Sequence, residues 1–134
     1  VPNATVLVVE DDDTIRRLLA EYLQAHAHVV VESARDGVEA LHQISTRPYD
    51  VVVLDVMMPK MSGVDLLDSL ATMRSDDSVQ SLKSLPAVLV ITSVSDGEVP
   101  DRVLAEHCPE LVRGVFRKPL ELGALAEEVE RYLR

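Results

Sequence analysis

Cysteine is nearly missing from this 134-residue chain, and the one present, Cys108, has no internal disulfide partner, which points to a reducing compartment. Aromatics are equally scarce: three Tyr, one Phe and no Trp offer no stacking platform for single-stranded nucleic acid. Basic residues number 13 against 23 acidic ones and never run longer than two, at Arg16-Arg17 and Arg117-Lys118. With a formal net charge of −10, that argues against direct nucleic-acid binding and against an anionic membrane surface. No apolar stretch approaches the length of a membrane span, and no signal peptide opens the sequence. What is present is globular: 47% apolar and 27% charged residues in one 14.8 kDa domain. A chain of this size buries roughly two-thirds of its unfolded surface. The expectation is a soluble cytoplasmic domain.

Short β-branched runs alternate with helical patterns. The strand candidates are Thr5–Val9, Val29–Glu32, Val51–Leu54, Ala87–Ile91 and Gly114–Arg117. Most are apolar almost throughout, as parallel strands covered on both faces are. Ile15, Leu18, Leu19, Tyr22 and Leu23 follow helical spacing and predict an amphipathic helix over 14–25. Asp36 is the expected N-cap of a second helix bearing Val38, Leu41 and Ile44. Val64, Leu67, Leu70 and Ala71 mark a third. Val103, Leu104, Leu111 and Val112 mark a weaker fourth, ending near Cys108-Pro109, and Leu122, Leu125, Val129, Tyr132 and Leu133 mark a fifth. Residues 74–85, rich in Ser and Asp, read as a solvated loop, and no internal repeat or low-complexity linker is evident. Five βα units with right-handed crossovers predict an α/β, doubly wound parallel sheet with helices on both faces.

Such sheets work at the carboxyl ends of their strands. The first predicted strand is followed by Glu10-Asp11-Asp12-Asp13, the third by Asp55, the fourth by Thr92-Ser93 and the fifth by Lys118-Pro119. Together these ends would gather carboxylates, a hydroxyl and an ammonium. Clustered carboxylates repel unless a cation sits among them. An all-oxygen, water-accessible set suits Mg²⁺ or Mn²⁺ rather than Zn²⁺. Each residue also has an ordinary reading. Asp13 is the expected cap of the first helix and Asp12 a solvated loop charge. For Glu10 and Asp11 taken alone, a structural role stands level with a functional one. Asp55 is harder to explain that way, because it closes an apolar run that calls for no immediate cap. His26 and His28 have no third ligand in view, His42 and His107 are isolated, and Cys108 reads as a small buried hydrophobe.

The segments Val-Leu-Val-Val-Glu10-Asp11-Asp12, Asp55-Val-Met-Met-Pro59-Lys-Met61-Ser-Gly63, Thr92-Ser93 and Lys118-Pro119 resemble the receiver domain of two-component response regulators, and the likeness spans essentially the whole chain. It implies a flavodoxin-like (βα)5 sandwich of strand order 2-1-3-4-5, acting as a phosphorylation-dependent switch rather than an enzyme. Asp55 would be the phosphoacceptor, taking a phosphoryl group from a sensor histidine kinase or a histidine phosphotransfer domain. Mg²⁺, or Mn²⁺ in its place, would be held by Asp11 and Asp55, by Glu10 through water and by the Met57 backbone carbonyl. Thr92 and Ser93 would contact the phosphoryl group with Lys118, while Pro59, Gly63 and Pro119 would shape the adjoining loops. In the family the bond matching Lys118-Pro119 is commonly cis, which would aim the lysine inward. Phosphorylation would change the surface around the fourth helix and fifth strand, a face that with the fifth helix would also serve a homodimer.

Three features depart from the family pattern. Val115 occupies a position where many members carry Tyr or Phe, and Phe116, its neighbour, must face the other way along a strand, which places a ring-flip switch in doubt. Met57 and Val94 are apolar at positions that tune water access to the phosphoryl group, so slow self-dephosphorylation is expected. The 74–85 loop and the Thr92-to-Lys118 stretch are longer than usual, which surface loops tolerate. One rival is an Mg²⁺-dependent phosphatase using an aspartyl phosphate, which wants Asp where Met57 stands; the other is an interaction domain with a decayed site. The chain starts with Val and stops as the last helix ends, which suits a domain excised from a hybrid kinase or a longer regulator, with a stand-alone regulator also open.

Overall fold

A computed structural model describes residues 4–27, 29–55, 86–93, 112–118 and 121–133. Their elements are β1 (Thr5–Val9), α1 (Asp13–Ala27), β2 (Val30–Ala34), α2 (Gly37–Thr46), β3 (Val51–Asp55), β4 (Ala87–Ser93), β5 (Val112–Lys118) and a C-terminal helix α3 (Leu122–Arg131). The third and fourth helical patterns and the 74–85 loop lie outside the described residues, apart from Val112, which belongs to β5.

All five strands are parallel, in the order β2-β1-β3-β4-β5. The reason is visible in their side chains. β3 is buried along its whole length, and a strand with no polar face can sit only in the middle of a sheet covered on both sides. β2 carries Glu32 and Ser33 and takes an edge instead. On one face Val6, Val8, Val51, Val53, Leu89 and Ile91 pack with Leu19, Leu23 and Ala27 of α1 and Leu125, Ala126 and Val129 of α3. Strand alternation sends Leu7, Val9, Val52, Leu54, Val88 and Val90, all buried, to the opposite face. There α2 meets β1 and β2, burying Ala40 and Ile44.

Several local expectations shift. β2 begins and ends later than the pattern indicates, because Ser33 and Ala34 still pair with Val8 and Val9. β4 runs on through Thr92 and Ser93, and β5 through Lys118, since the two strands keep pairing to those residues. Leu18 and Val38, counted on apolar helix faces, are exposed. Asp36 does cap α2: its Oδ1 accepts from the Glu39 backbone N–H at 2.8 Å. At α1 the cap is Asp12, not Asp13. The Asp12 Oδ1 accepts from the Ile15 N–H at 3.0 Å, and its carbonyl accepts the first helical bond, from Arg16, at 2.8 Å. Asp13 is thereby freed to lie in the first turn, where it pairs with Arg16.

The edge strand is tied down by a cluster that sequence reading did not find. The Arg47 Nη1 donates to both Glu32 oxygens, at 2.7 and 2.8 Å, and the Tyr49 hydroxyl donates to Glu32 Oε1 at 2.9 Å. Tyr49 is only 5% exposed. Burial first, and then the Glu32 carboxylate, push its hydroxyl well above the ordinary tyrosine range, partly opposed by Arg47. The folded state therefore keeps a proton that the unfolded chain gives up above about pH 10. This contribution to stability is complete below that pH and is lost as pH rises through the folded value. Tyr49→Phe is expected to flatten the alkaline fall in stability, read from urea midpoints across pH; an unchanged slope would remove Tyr49 from that role.

Candidate acidic site at the carboxyl ends of the strands

Parallel register brings the predicted site together. Val6 pairs with Val51 and so on to Val9 with Leu54, so the next step along β1 and β3 sets Glu10 beside Asp55. Both descend from the same strand face, that of Val8 and Val53. Glu10, Asp11 and Asp55 each offer a carboxylate oxygen, and the three oxygens lie within 4.8 Å of one another. Glu10 is 2% exposed and Asp55 3%, whereas Asp11 is open to water.

Burying two carboxylates is costly, so both need charged or hydrogen-bonding company. Around Glu10 the backbone supplies part of it. Its N–H donates to the Ala34 carbonyl at 3.1 Å, and its Oε1 accepts from the Asp12 N–H at 3.2 Å. The side chain of Arg16 reaches back from the first turn of α1, donating from Nη1 to the Glu10 carbonyl at 2.9 Å and from Nη2 to Asp13. That contact lowers the Asp13 carboxyl below its ordinary range, chiefly through the hydrogen bond and then the charge of Arg16. Arg16 escaped sequence reading because nothing in helical periodicity marks a side chain that folds back across a loop.

Further along the sheet, Asp55 pairs with Ile91 of β4, and Thr92 follows directly; Thr92 pairs with Arg117 and Ser93 with Lys118. The backbones of Thr92, Ser93 and Lys118 thus lie at the same end of the sheet as the carboxylates, while their side chains lie outside what is described. Met57, Pro59, Gly63, Val94 and Pro119 also fall outside the described residues. Phe116 packs on the core face of Leu89 and Ile91, so strand alternation puts Val115 on the other, as its place in β5 predicts. His26 stacks on Tyr22 at a ring separation of 4.0 Å, with Nδ1 3.0 Å from the Tyr22 carbonyl, a packing role rather than a ligand's.

Three converging carboxylates, two buried and one wet, form a set that can hold a hard cation. The response regulator receiver domain, as a sequence family, matches residues 6–130. The chain belongs to that family. This receiver domain is 33% identical over 129 residues to Chemotaxis protein CheY-3 of Vibrio cholerae, covering 96% of this chain and 91% of that protein. It is 32% identical over 111 residues to Hybrid signal transduction histidine kinase D of Dictyostelium discoideum, covering 83% of this chain but 7% of that much longer protein. Among solved structures it resembles a CheY-like response regulator receiver domain protein from Methanospirillum hungatei, with a TM-score of 0.78, 25% identity and coverage of 97% and 94% of the two chains. The receiver fold, its flavodoxin-like strand order and the role of signalling module are thus those expected from sequence. Receiver domains bind Mg²⁺ at an acidic pocket and interact with histidine kinases or phosphotransfer proteins. Among the described residues, no helix is long and apolar enough to cross a membrane.

Proposed function

We propose that this receiver domain is a cytoplasmic switch that accepts a phosphoryl group on Asp55 from a phosphohistidine of a sensor kinase or phosphotransfer domain. The observation that carries the reading is the meeting of Glu10, Asp11 and Asp55 within 4.8 Å at the carboxyl edge of the sheet. An Asp55 oxygen attacks phosphorus, the P–N bond breaks, and the imidazole leaves with the bonding pair and takes up a proton. Phosphoryl transfer needs chiefly positioning and neutralisation of oxygen charge. Burial of Asp55 at the end of a fully buried strand supplies the positioning, because β3 cannot shift without disturbing both faces of the core. Glu10, Asp11, Asp55 and the Met57 carbonyl would hold Mg²⁺, or Mn²⁺ in its place, which when bound offsets the charge of the phosphoryl oxygens. Thr92, Ser93 and Lys118 would receive the remaining oxygens from β4 and β5, and Pro59, Gly63 and Pro119 would shape the loops around them. The phosphatase alternative lacks its acid, since Met57 stands where a second Asp is needed.

With Val115 non-aromatic, the signal would pass through Thr92 and the chain that follows it. The surface that changes would be that of the fourth helical pattern, β5 and α3, at the β5 edge of the sheet, a face that would also serve a homodimer.

Incubation with acetyl phosphate and Mg²⁺, followed by intact mass measurement, is expected to show one phosphoryl adduct. No adduct on the wild-type chain would favour a decayed site. After removal of the donor the adduct should persist far beyond seconds, because Met57 and Val94 offer no polar group to orient water. A lifetime of seconds would overturn the part assigned to those two residues.

A further inference from the structure

We propose that Arg16 is a positioning residue for the acidic site, clamping the β1–α1 loop so that Asp11 stays in reach of Glu10 and Asp55; this rests on the metal-assisted reading above. Four successive acidic residues, Glu10 to Asp13, run from the end of β1 into the first turn of α1, and Asp11 is solvent-exposed. Repulsion within such a run favours spreading the carboxylates apart. The guanidinium of Arg16 opposes that at two points on either side of Asp11. Nη1 holds the Glu10 carbonyl at 2.9 Å, and Nη2 holds the Asp13 carboxylate. The arm to the Glu10 carbonyl is part-buried, with the Arg16 side chain 15% exposed, whereas the Asp13 carboxylate that takes the other arm is 79% exposed. Its backbone is fixed as well, by the 2.8 Å bond from the Arg16 N–H to the Asp12 carbonyl. Two donors in a rigid fork can bridge the loop in this way, whereas the single ammonium of a lysine is a point charge.

Two effects of Arg16 on a cation have opposite signs, which makes the proposal decidable. As a nearby positive charge it repels a divalent ion. As a clamp it presents the ligands already arranged, and loss of such outer partners costs metal affinity about tenfold or more. Positioning is expected to win. Arg17 supplies a matched control: the same charge on the same helix, but exposed.

The test is titration of the full chain with Mn²⁺ followed by electron paramagnetic resonance, alongside urea unfolding of each variant without metal. Arg16→Met should weaken Mn²⁺ binding about tenfold, whereas Arg17→Met should leave it equal or slightly tighter. Arg16→Lys should recover only part of the loss. Equal or tighter binding by Arg16→Met, or full recovery by Arg16→Lys, would overturn the clamp and leave Arg16 as a charge alone. A loss of stability in Arg16→Met with unchanged Mn²⁺ affinity would overturn it too, by making the contact merely structural. Should Arg16→Met fail to fold, Arg16→Lys decides, because it keeps the charge and loses the fork. Absence of Mn²⁺ binding by the wild type would instead bring down the metal-assisted reading itself, and the clamp with it.

Discussion

Asp55→Asn is expected to abolish phosphoryl uptake from acetyl phosphate while leaving the fold intact. The substitution keeps the shape of the side chain and replaces a carboxylate nucleophile by an amide that does not attack phosphorus under the same conditions. It also removes one negative charge from a cluster whose three oxygens lie within 4.8 Å. Because Asp55 is 3% exposed at the end of a wholly buried strand, the site offers little room for another group to take its place. Metal-free Asp55→Asn should therefore unfold at a urea concentration no lower than the wild type, because repulsion with Glu10 and Asp11 is relieved. Intact mass and urea midpoints separate the two statements. An adduct of wild-type yield on the variant would mean that a different residue accepts the phosphoryl group.

Leu23→Ala is expected to cause a comparably large effect in stability. Leu23 is fully buried in the cluster that joins β1, β3 and β4 to α1 and α3. Truncating a leucine in such a place removes transfer energy and leaves a cavity, at about 2–5 kcal/mol. Against a total of about 5–15 kcal/mol for a domain, that is a substantial fraction. The urea midpoint should fall with little change in slope. A loss under about 1 kcal/mol would mean that the interface collapses around the gap and that packing here is less exacting than its burial implies. The folded fraction of the variant should still accept phosphoryl groups, since Leu23 lies apart from the carboxylates in function as in sequence.

Much of the architecture was legible because it depends on near neighbours in the chain. Continuous apolar, β-branched runs mark β1 and β3, period-3.6 patterns mark α1 and the C-terminal helix, and Asp36 announces its cap. The acidic residues of the site were legible too, because Glu10, Asp11 and Asp55 stand at the ends of apolar runs, where a parallel sheet does its work. Helix starts were less so: Asp12 and Asp13 are both competent caps, and it is the Asp12 carboxylate that meets the Ile15 N–H while Asp13 pairs with Arg16.

The identity of the strands and of the carboxylates that follow them is therefore written in the order of residues, since each depends on an apolar run only a few positions long. Their meeting is not. Glu10 and Asp55 are 45 residues apart in numbering, and the parallel register of β1 with β3 brings them side by side. The same holds for Arg16 folding back on Glu10, for Tyr49 and Arg47 converging on Glu32, and for Phe116 turning to the core face. Such contacts are long-range or cross a loop, and a local pattern carries no information about distance across a sheet. Register and packing set those distances, and with them the chemistry.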